Sequence, residues 1–92
     1  MSKADQELRG LARSFLTGRE SFWSFHEEFL SRWGRLPETA LSEGEWKAWN
    51  EVYAWVLTAI PDPVPGPDAA RGVIGETELR NRLGRHSLVA TP

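Results

Sequence analysis

The stretch that most constrains the fold is LSEGEWKAWNEVYAWVLTAI, which covers residues 41–60. It begins with Ser42 and Glu45 at the spacing of a capping box, in which the two side chains accept hydrogen bonds from N–H groups that the start of a helix leaves unpaired. Apolar residues then recur three and four positions apart, which is the spacing of one helical face. Pro61 lacks an N–H and disfavours helical backbone at the residue before it, so we predict a helix over residues 43–60. Its main apolar face is expected to contain Trp46, Trp49, Val52, Tyr53, Val56, Leu57 and Ile60.

The same stretch carries a second apolar stripe, which comprises Ala48, Val52, Trp55 and Ala59. At about 100° per residue, Trp55 points nearly opposite Trp46. Two interpretations are open. Either another helix of the same chain covers Trp55, or Trp55 anchors an interface with a second copy or a partner protein, where tryptophan is enriched.

Helix signals also mark three other segments. A stripe of leucine, alanine and phenylalanine predicts a helix over residues 5–17. A wider aromatic face predicts one over residues 22–33, which we expect Gly34 to end. An apolar pair flanking Gly75 has the geometry of a hydrophobic staple and predicts a short last helix over residues 76–85.

The segment PDPVPGPD, residues 61–68, contains four prolines. It is predicted to be a stiff surface connection that is neither helix nor central strand. Short loops between the first three helices favour antiparallel neighbours. The predicted fold class is therefore all-α, a small antiparallel four-helix bundle with a short last helix. It is expected to form a single domain over residues 1–86, followed by a mobile tail over residues 87–92.

Composition excludes several kinds of protein. The chain has no cysteine, so disulfides and thiolate sites are excluded, and a cytoplasmic location is expected. The opening MSKADQELRG lacks the apolar segment of a signal peptide, and no run is long enough to cross a membrane. A net charge of −2 argues against direct binding of nucleic acid. Arginine outnumbers lysine nine to two, which suggests a GC-rich bacterial genome.

The residues that could carry out chemistry are few and poorly spaced for it. His26 has Leu30, not a second histidine, four positions later, so a zinc-binding helix motif is incomplete. Glu27 and Glu28 are adjacent and diverge by about 100° on a helix, which does not suit an acid/base pair. His86 suits the C-terminal end of the last helix, where positive charge is favoured. We therefore predict that the protein is not an enzyme and uses no cofactor and no metal.

The charge distribution gives more information. Residues 20–60 contain seven glutamates and three basic residues, a balance of −4. The second and third helices are therefore expected to present carboxylates on their outer faces. These glutamates are either an ordinary solvated surface or a site that docks a basic partner through complementary charge.

Two segments carry a family resemblance. LARSFLTGRESFWSFHEEFL, residues 11–30, has a helix that ends in a Phe-Leu pair, a short Gly-Arg connection and a helix entered through an apolar residue and Phe. GVIGETELRNRLG, residues 72–84, has an Ile-acidic turn followed by Glu-Leu-Arg. Both resemble the bacterial self-protective, colicin D-type immunity proteins. The resemblance implies a small four-helix bundle that blocks a cognate ribonuclease toxin domain with acidic residues; the tryptophan-rich central helix and PDPVPGPD depart from the family pattern.

The predicted function follows from the charge and the resemblance together. We predict an immunity or antitoxin-type inhibitor that binds a basic, nuclease-like toxin domain without catalysing a reaction. The alternative is a homodimeric interaction protein that uses the Ala48/Trp55/Ala59 stripe and has no toxin partner. The predicted partner-binding residues are Glu27, Glu28, Glu45, Glu51, Trp23 and Trp55.

Overall fold

A computed structural model describes residues 2–86, which are helices and connections without a strand. The helices are α1 (Lys3–Leu16), α2 (Phe22–Arg35), α3 (Glu43–Thr58), α4 (Gly66–Ala70) and α5 (Glu76–Arg85). Four of them have ten residues or more and match the four predicted helices, so the all-α class is confirmed. The predicted mobile tail, residues 87–92, lies outside the described residues.

The helix ends differ from the predictions by up to two residues, for local reasons. Helix α1 begins earlier, because the Ser2 side chain accepts a hydrogen bond from the Asp5 N–H at 3.0 Å and caps the helix. Helix α2 passes through Gly34, which was predicted to end it, and stops at Leu36, where the backbone becomes extended. Helix α3 ends at Thr58, because Ala59 is already extended ahead of the proline-rich segment. The predicted capping box of α3 is confirmed.

The proline-rich connection contains one element that the sequence did not predict. Gly66 opens the five-residue α4, whose first turn holds Pro67, a position where a missing N–H costs little. Segment 61–68 is therefore partly helical. The connection leads the chain back so that the Ile60 N–H donates to the Ile74 carbonyl at 3.1 Å.

Asp62 of this connection caps the start of α5. Its Oδ2 accepts hydrogen bonds from the Thr77 hydroxyl at 2.5 Å and from the Thr77 N–H at 2.9 Å. These hydrogen bonds from Thr77 hold the pKa of Asp62 below its ordinary value. Gly75 is the residue that allows this approach, since a Cβ there would lie 1.9 Å from Asp62 Oδ1.

The core joins the four long helices. Helix α1 packs against α2 and α5, and α3 also packs against α2 and α5. Phe15 and Phe25 stack at 4.4 Å between ring centroids, and the Arg80 guanidinium of α5 lies 4.0 Å above the Phe15 ring. The fully buried side chains with the largest volumes are Trp49, Phe15, Phe25, Phe29, Leu8, Leu79, Leu83, Val52 and Val56.

The most deeply buried face of α3 lies between the centres of its two predicted apolar stripes. Trp49, Val52 and Val56 are fully buried. One flank contacts α2, where Trp33 stacks on Tyr53 at 5.3 Å, and the other flank carries Trp55 toward α5. Helix α5 therefore covers Trp55 only in part, since its ring remains half-buried, and neither interpretation of this residue is confirmed. The full list of the main face was wrong at Leu57, which is 50% exposed.

Candidate partner-binding surfaces

The six predicted partner-binding residues lie at three separate places. Glu45 lies at the start of α3, beside the start of α1. Trp23, Glu27 and Glu28 lie on the outside of α2, and we call these three residues the α2 surface. Glu51 and Trp55 line a groove between α3 and α5. The structure therefore places the four predicted glutamates on three separate surfaces.

Glu45 has a structural role that occupies its carboxylate. Its Oε1 accepts hydrogen bonds from the Ser42 N–H at 2.9 Å and from the Ser2 hydroxyl at 3.1 Å. Glu45 thus joins the N-termini of α1 and α3. The hydrogen bond from the Ser42 N–H, reinforced by the Ser2 hydroxyl, lowers the pKa of Glu45 below its ordinary 4.5. A carboxylate held in this way is a poor contact for a partner.

The α2 surface centres on an exposed tryptophan. Trp23 is 53% exposed and rests edge-on against Phe22 and His26, at ring-centroid distances of 5.0 and 5.3 Å. Glu27 lies one turn beyond Trp23 and makes no ion pair within residues 2–86. Glu28 is already paired, since Arg32 Nε lies 3.3 Å from its Oε2. Glu27 is therefore the carboxylate of this surface with the most freedom to meet a cation.

The polar side chains next to the α2 surface pair among themselves. The Ser24 hydroxyl donates to the Glu20 carboxylate, and Arg35 donates to the Ser31 hydroxyl. Arg32 also reaches Glu7 of α1 at 3.4 Å. The basic residues of α2 thus lie in its C-terminal half, while Trp23 and the glutamates lie in its N-terminal half.

A groove of about 600 Å³ lies between α3 and α5. We call it the α3–α5 groove. Its α3 side is a single helical stripe with Trp55 at the far end, and its other side comes from α5 and the residue that follows it. The α3 lining comprises Gly44, Lys47, Ala48, Glu51 and Trp55. The opposite lining comprises Arg82, Arg85 and His86.

Basic side chains dominate the α3–α5 groove. The Arg82 guanidinium lies 5.6 Å from the centroid of the Trp55 ring, in cation–π geometry. Arg82 and Arg85 share one carboxylate oxygen of Glu78, at 3.2 and 3.9 Å. Lys47 makes no ion pair within residues 2–86. The surroundings of Trp55 are therefore basic, although the glutamates counted along α3 predicted an acidic face.

His86 closes the inner end of the groove. Its ring lies between Trp49, at a centroid distance of 6.2 Å, and Trp55, at 5.7 Å and nearly perpendicular to it. Its side chain is only 7% exposed, and Nε2 lies 3.7 Å from Glu51 Oε1. The sequence placed His86 at the end of the last helix but did not predict this aromatic enclosure. Glu51 therefore lies beside His86 in the lining of the groove and does not form a separate acidic surface.

The sequence patterns also did not predict a buried polar network on the inner side of α3. Asp5 is fully buried and accepts from Trp49 Nε1 at 2.7 Å and from Arg9 Nε at 2.8 Å. Arg9 Nη1 is buried without a hydrogen-bond partner within residues 2–86. The only sequence signal was an Asp and an Arg four positions apart on one helix. The network joins α1 to α3.

The stripe proposed for a homodimer is only partly at the surface. Ala59 is 3% exposed, whereas Ala48 and Trp55 are half-buried along the α3–α5 groove. No helix within residues 2–86 is long and apolar enough to cross a membrane.

The two segments that resemble immunity proteins span the end of α1 with most of α2, and the turn before α5 with α5 itself. Half of the predicted site, the α2 surface, lies in the first of these segments. The chain matches no protein-family model, no curated protein sequence and no solved structure.

Proposed function

We propose that this chain is a non-enzymatic inhibitor of immunity or antitoxin type, which uses the α2 surface to occlude a basic, nuclease-like toxin domain. The observation that carries the proposal is the position of Trp23. This large apolar side chain is 53% exposed and stands one turn from Glu27, a carboxylate without an ion pair within residues 2–86.

Such a pair supplies the two contributions that an occluding interface needs. An exposed tryptophan provides a wide apolar contact, and tryptophans at interface centres often contribute 2 kcal/mol or more to affinity. A nearby carboxylate steers a basic partner and fixes its register. Glu28 adds charge to the same surface but competes with Arg32, so we expect a smaller contribution from it.

The proposal includes the predicted architecture and location. The neighbour relations α1–α2, α2–α3, α3–α5 and α5–α1 form a closed ring, which supports an antiparallel four-helix bundle. In this arrangement α2 exposes one face along its length, as an occluding surface requires. We place the protein in the bacterial cytoplasm, where a cysteine-free chain is common.

Co-expression with the product of the neighbouring gene tests the function. We expect that product to be a growth-inhibiting protein with a basic C-terminal domain, and we expect this chain to restore growth and suppress its ribonuclease activity. The double variant Trp23→Ala with Glu27→Lys should raise the Kd, measured by calorimetry, at least about 30-fold, the factor that corresponds to 2 kcal/mol.

The matched control is Glu38→Lys, which makes the same charge change at an exposed glutamate in the connection after α2. It should change the Kd less than about threefold. Equal inhibition by the double variant and the wild type would rule out the α2 surface as the site. A neighbouring product without toxicity, together with a sedimentation profile of a stable dimer that Trp55→Glu dissolves, would favour the homodimer.

A further inference from the structure

We propose that the α3–α5 groove is a second binding site, which takes an acidic polypeptide segment that bears apolar side chains. This site lies apart from the α2 surface and does not depend on the function proposed above. It rests on three features of the groove: its charge, its aromatic wall and its shape.

The charge of the groove is unbalanced toward positive. Lys47, Arg82 and Arg85 line it together with one carboxylate, Glu51, and a second carboxylate, Glu78, pairs with both arginines. Since Glu78 is shared by two guanidinium groups, neither arginine is fully neutralised. An acidic occupant would therefore gain electrostatic energy that a basic one would lose.

The wall of the groove offers an apolar contact beside these cations. Trp55 remains half-buried, with its ring in perpendicular contact with the His86 ring and below the Arg82 guanidinium. An arginine already placed over a tryptophan is ordered before a ligand arrives, which reduces the entropy lost on binding. A partner carboxylate could pair with Arg82 while the neighbouring apolar side chain covers Trp55.

The shape of the groove fits a chain segment better than a small anion. Gly44, Ala48, Glu51 and Trp55 follow one another at the spacing of a single helical stripe, and at 1.5 Å per residue this stripe is about 16 Å long. Gly44 has no atom within 4 Å of the position that a Cβ would occupy, so this end is open. With Ala48 it leaves room for the backbone of a partner helix to approach. A helix of about three turns would span the stripe.

The test uses the full chain labelled with ¹⁵N and a synthetic peptide of about eleven residues in which pairs of glutamates alternate with single leucines. Titration followed by NMR should shift the indole N–H signal of Trp55 and leave that of Trp23 unchanged, with signals assigned from Trp→Phe variants. Binding is expected in the micromolar range and should weaken as salt rises. A peptide with lysine in place of every glutamate should leave the Trp55 signal unmoved.

Charge reversal identifies the residues responsible. Lys47→Glu with Arg85→Glu should weaken binding of the acidic peptide at least about tenfold, because both side chains are exposed and leave the core intact. The control, Arg19→Glu with Arg71→Glu, makes the same change in net charge at exposed sites outside the groove and should change the Kd less than about threefold. Equal losses in the two variants, a shift at Trp23 instead of Trp55, or no shift at millimolar peptide would each overturn the proposal.

Discussion

The α2 surface and the α3–α5 groove are each built around one tryptophan, but they differ in exposure and in charge. Trp23 stands on the outside of a single helix and is 53% exposed, and Glu27, which makes no ion pair within residues 2–86, lies one turn away. Trp55 lies between two helices under Arg82, with Lys47 and Arg85 in the same lining. We propose a basic partner for the first surface and an acidic one for the second.

The difference shows that the charge around an aromatic residue depends on the element packed beside it. Helix α3 itself contains three glutamates and one lysine, so its own sequence predicts an acidic surrounding for Trp55. Helix α5 reverses this sign by placing arginines on the same groove. The aromatic contacts of Trp23 come from α2 itself, through Phe22 and His26, so the residues next to it in the sequence describe its surroundings more directly.

The largest expected effect concerns the network that fixes α3 behind the groove. Asp5→Ala removes the buried carboxylate that accepts from Trp49 and Arg9 and leaves the arginine charge without a partner. Breaking a buried pair in this way costs about 3–5 kcal/mol, a large share of the stability of a small domain. Urea unfolding followed by circular dichroism measures the loss.

Glu7→Ala is the matched control on the same helix. Glu7 is exposed and lies 3.4 Å from Arg32 of α2, so its removal should cost less than about 1 kcal/mol. If the two substitutions destabilise the protein equally, the buried network does not anchor the groove side. The α2 surface and the α3–α5 groove would then differ only in their surface residues and not in how firmly they are held by the core.

A direct comparison of the two tryptophans has the next largest expected effect. Trp55→Ala removes a half-buried ring together with its contacts to His86 and Arg82. We expect it to lower the free energy of unfolding by about 2 kcal/mol, which is less than the loss expected for a fully buried tryptophan. Trp23→Ala should change it by less than about 1 kcal/mol, because the ring is mainly exposed. Similar losses of stability in the two variants would contradict the conclusion that Trp23 is mainly exposed whereas Trp55 packs against α5.

Local patterns predicted the helices well and the site only in part. The capping box at Ser42, the stripes of α3 and the short α5 all follow from spacing along one helix. Two hydrogen bonds join residues that lie more than forty positions apart. One runs from the Ser2 hydroxyl to Glu45, and the other runs from Trp49 Nε1 to Asp5. Local periodicity contains no information on such contacts, so it placed Glu45 in the capping box and among the partner-binding residues and predicted no partner for Asp5.

The smallest effect concerns the start of α5, the helix that gives the groove its arginines. Gly75→Ala places a Cβ 1.9 Å from Asp62 Oδ1 and should displace the carboxylate from Thr77, lowering Tm by a few degrees, as expected for a lost cap. Gly84→Ala is the control with the opposite sign, since nothing lies within 4 Å of its Cβ and alanine is favoured in a helix by up to about 1 kcal/mol.

The pH dependence separates the loss of this cap from simple crowding at Gly75. The folded-state pKa of Asp62 lies below its ordinary 3.8, so the carboxylate contributes stability above that pH, and the contribution is lost as the pH falls through the lower, folded-state pKa. In Gly75→Ala the pKa of Asp62, followed by NMR titration, should return toward 3.8, and the difference in Tm from the wild type should narrow at acid pH. The Trp55 signal should then respond more weakly to the acidic peptide at neutral pH, while Trp23 and the α2 surface stay unchanged. The contrary result is a difference in Tm that stays the same at low pH, together with an Asp62 pKa that remains depressed. It would mean that Gly75→Ala acts through crowding alone and that the position of the α5 arginines does not depend on this cap.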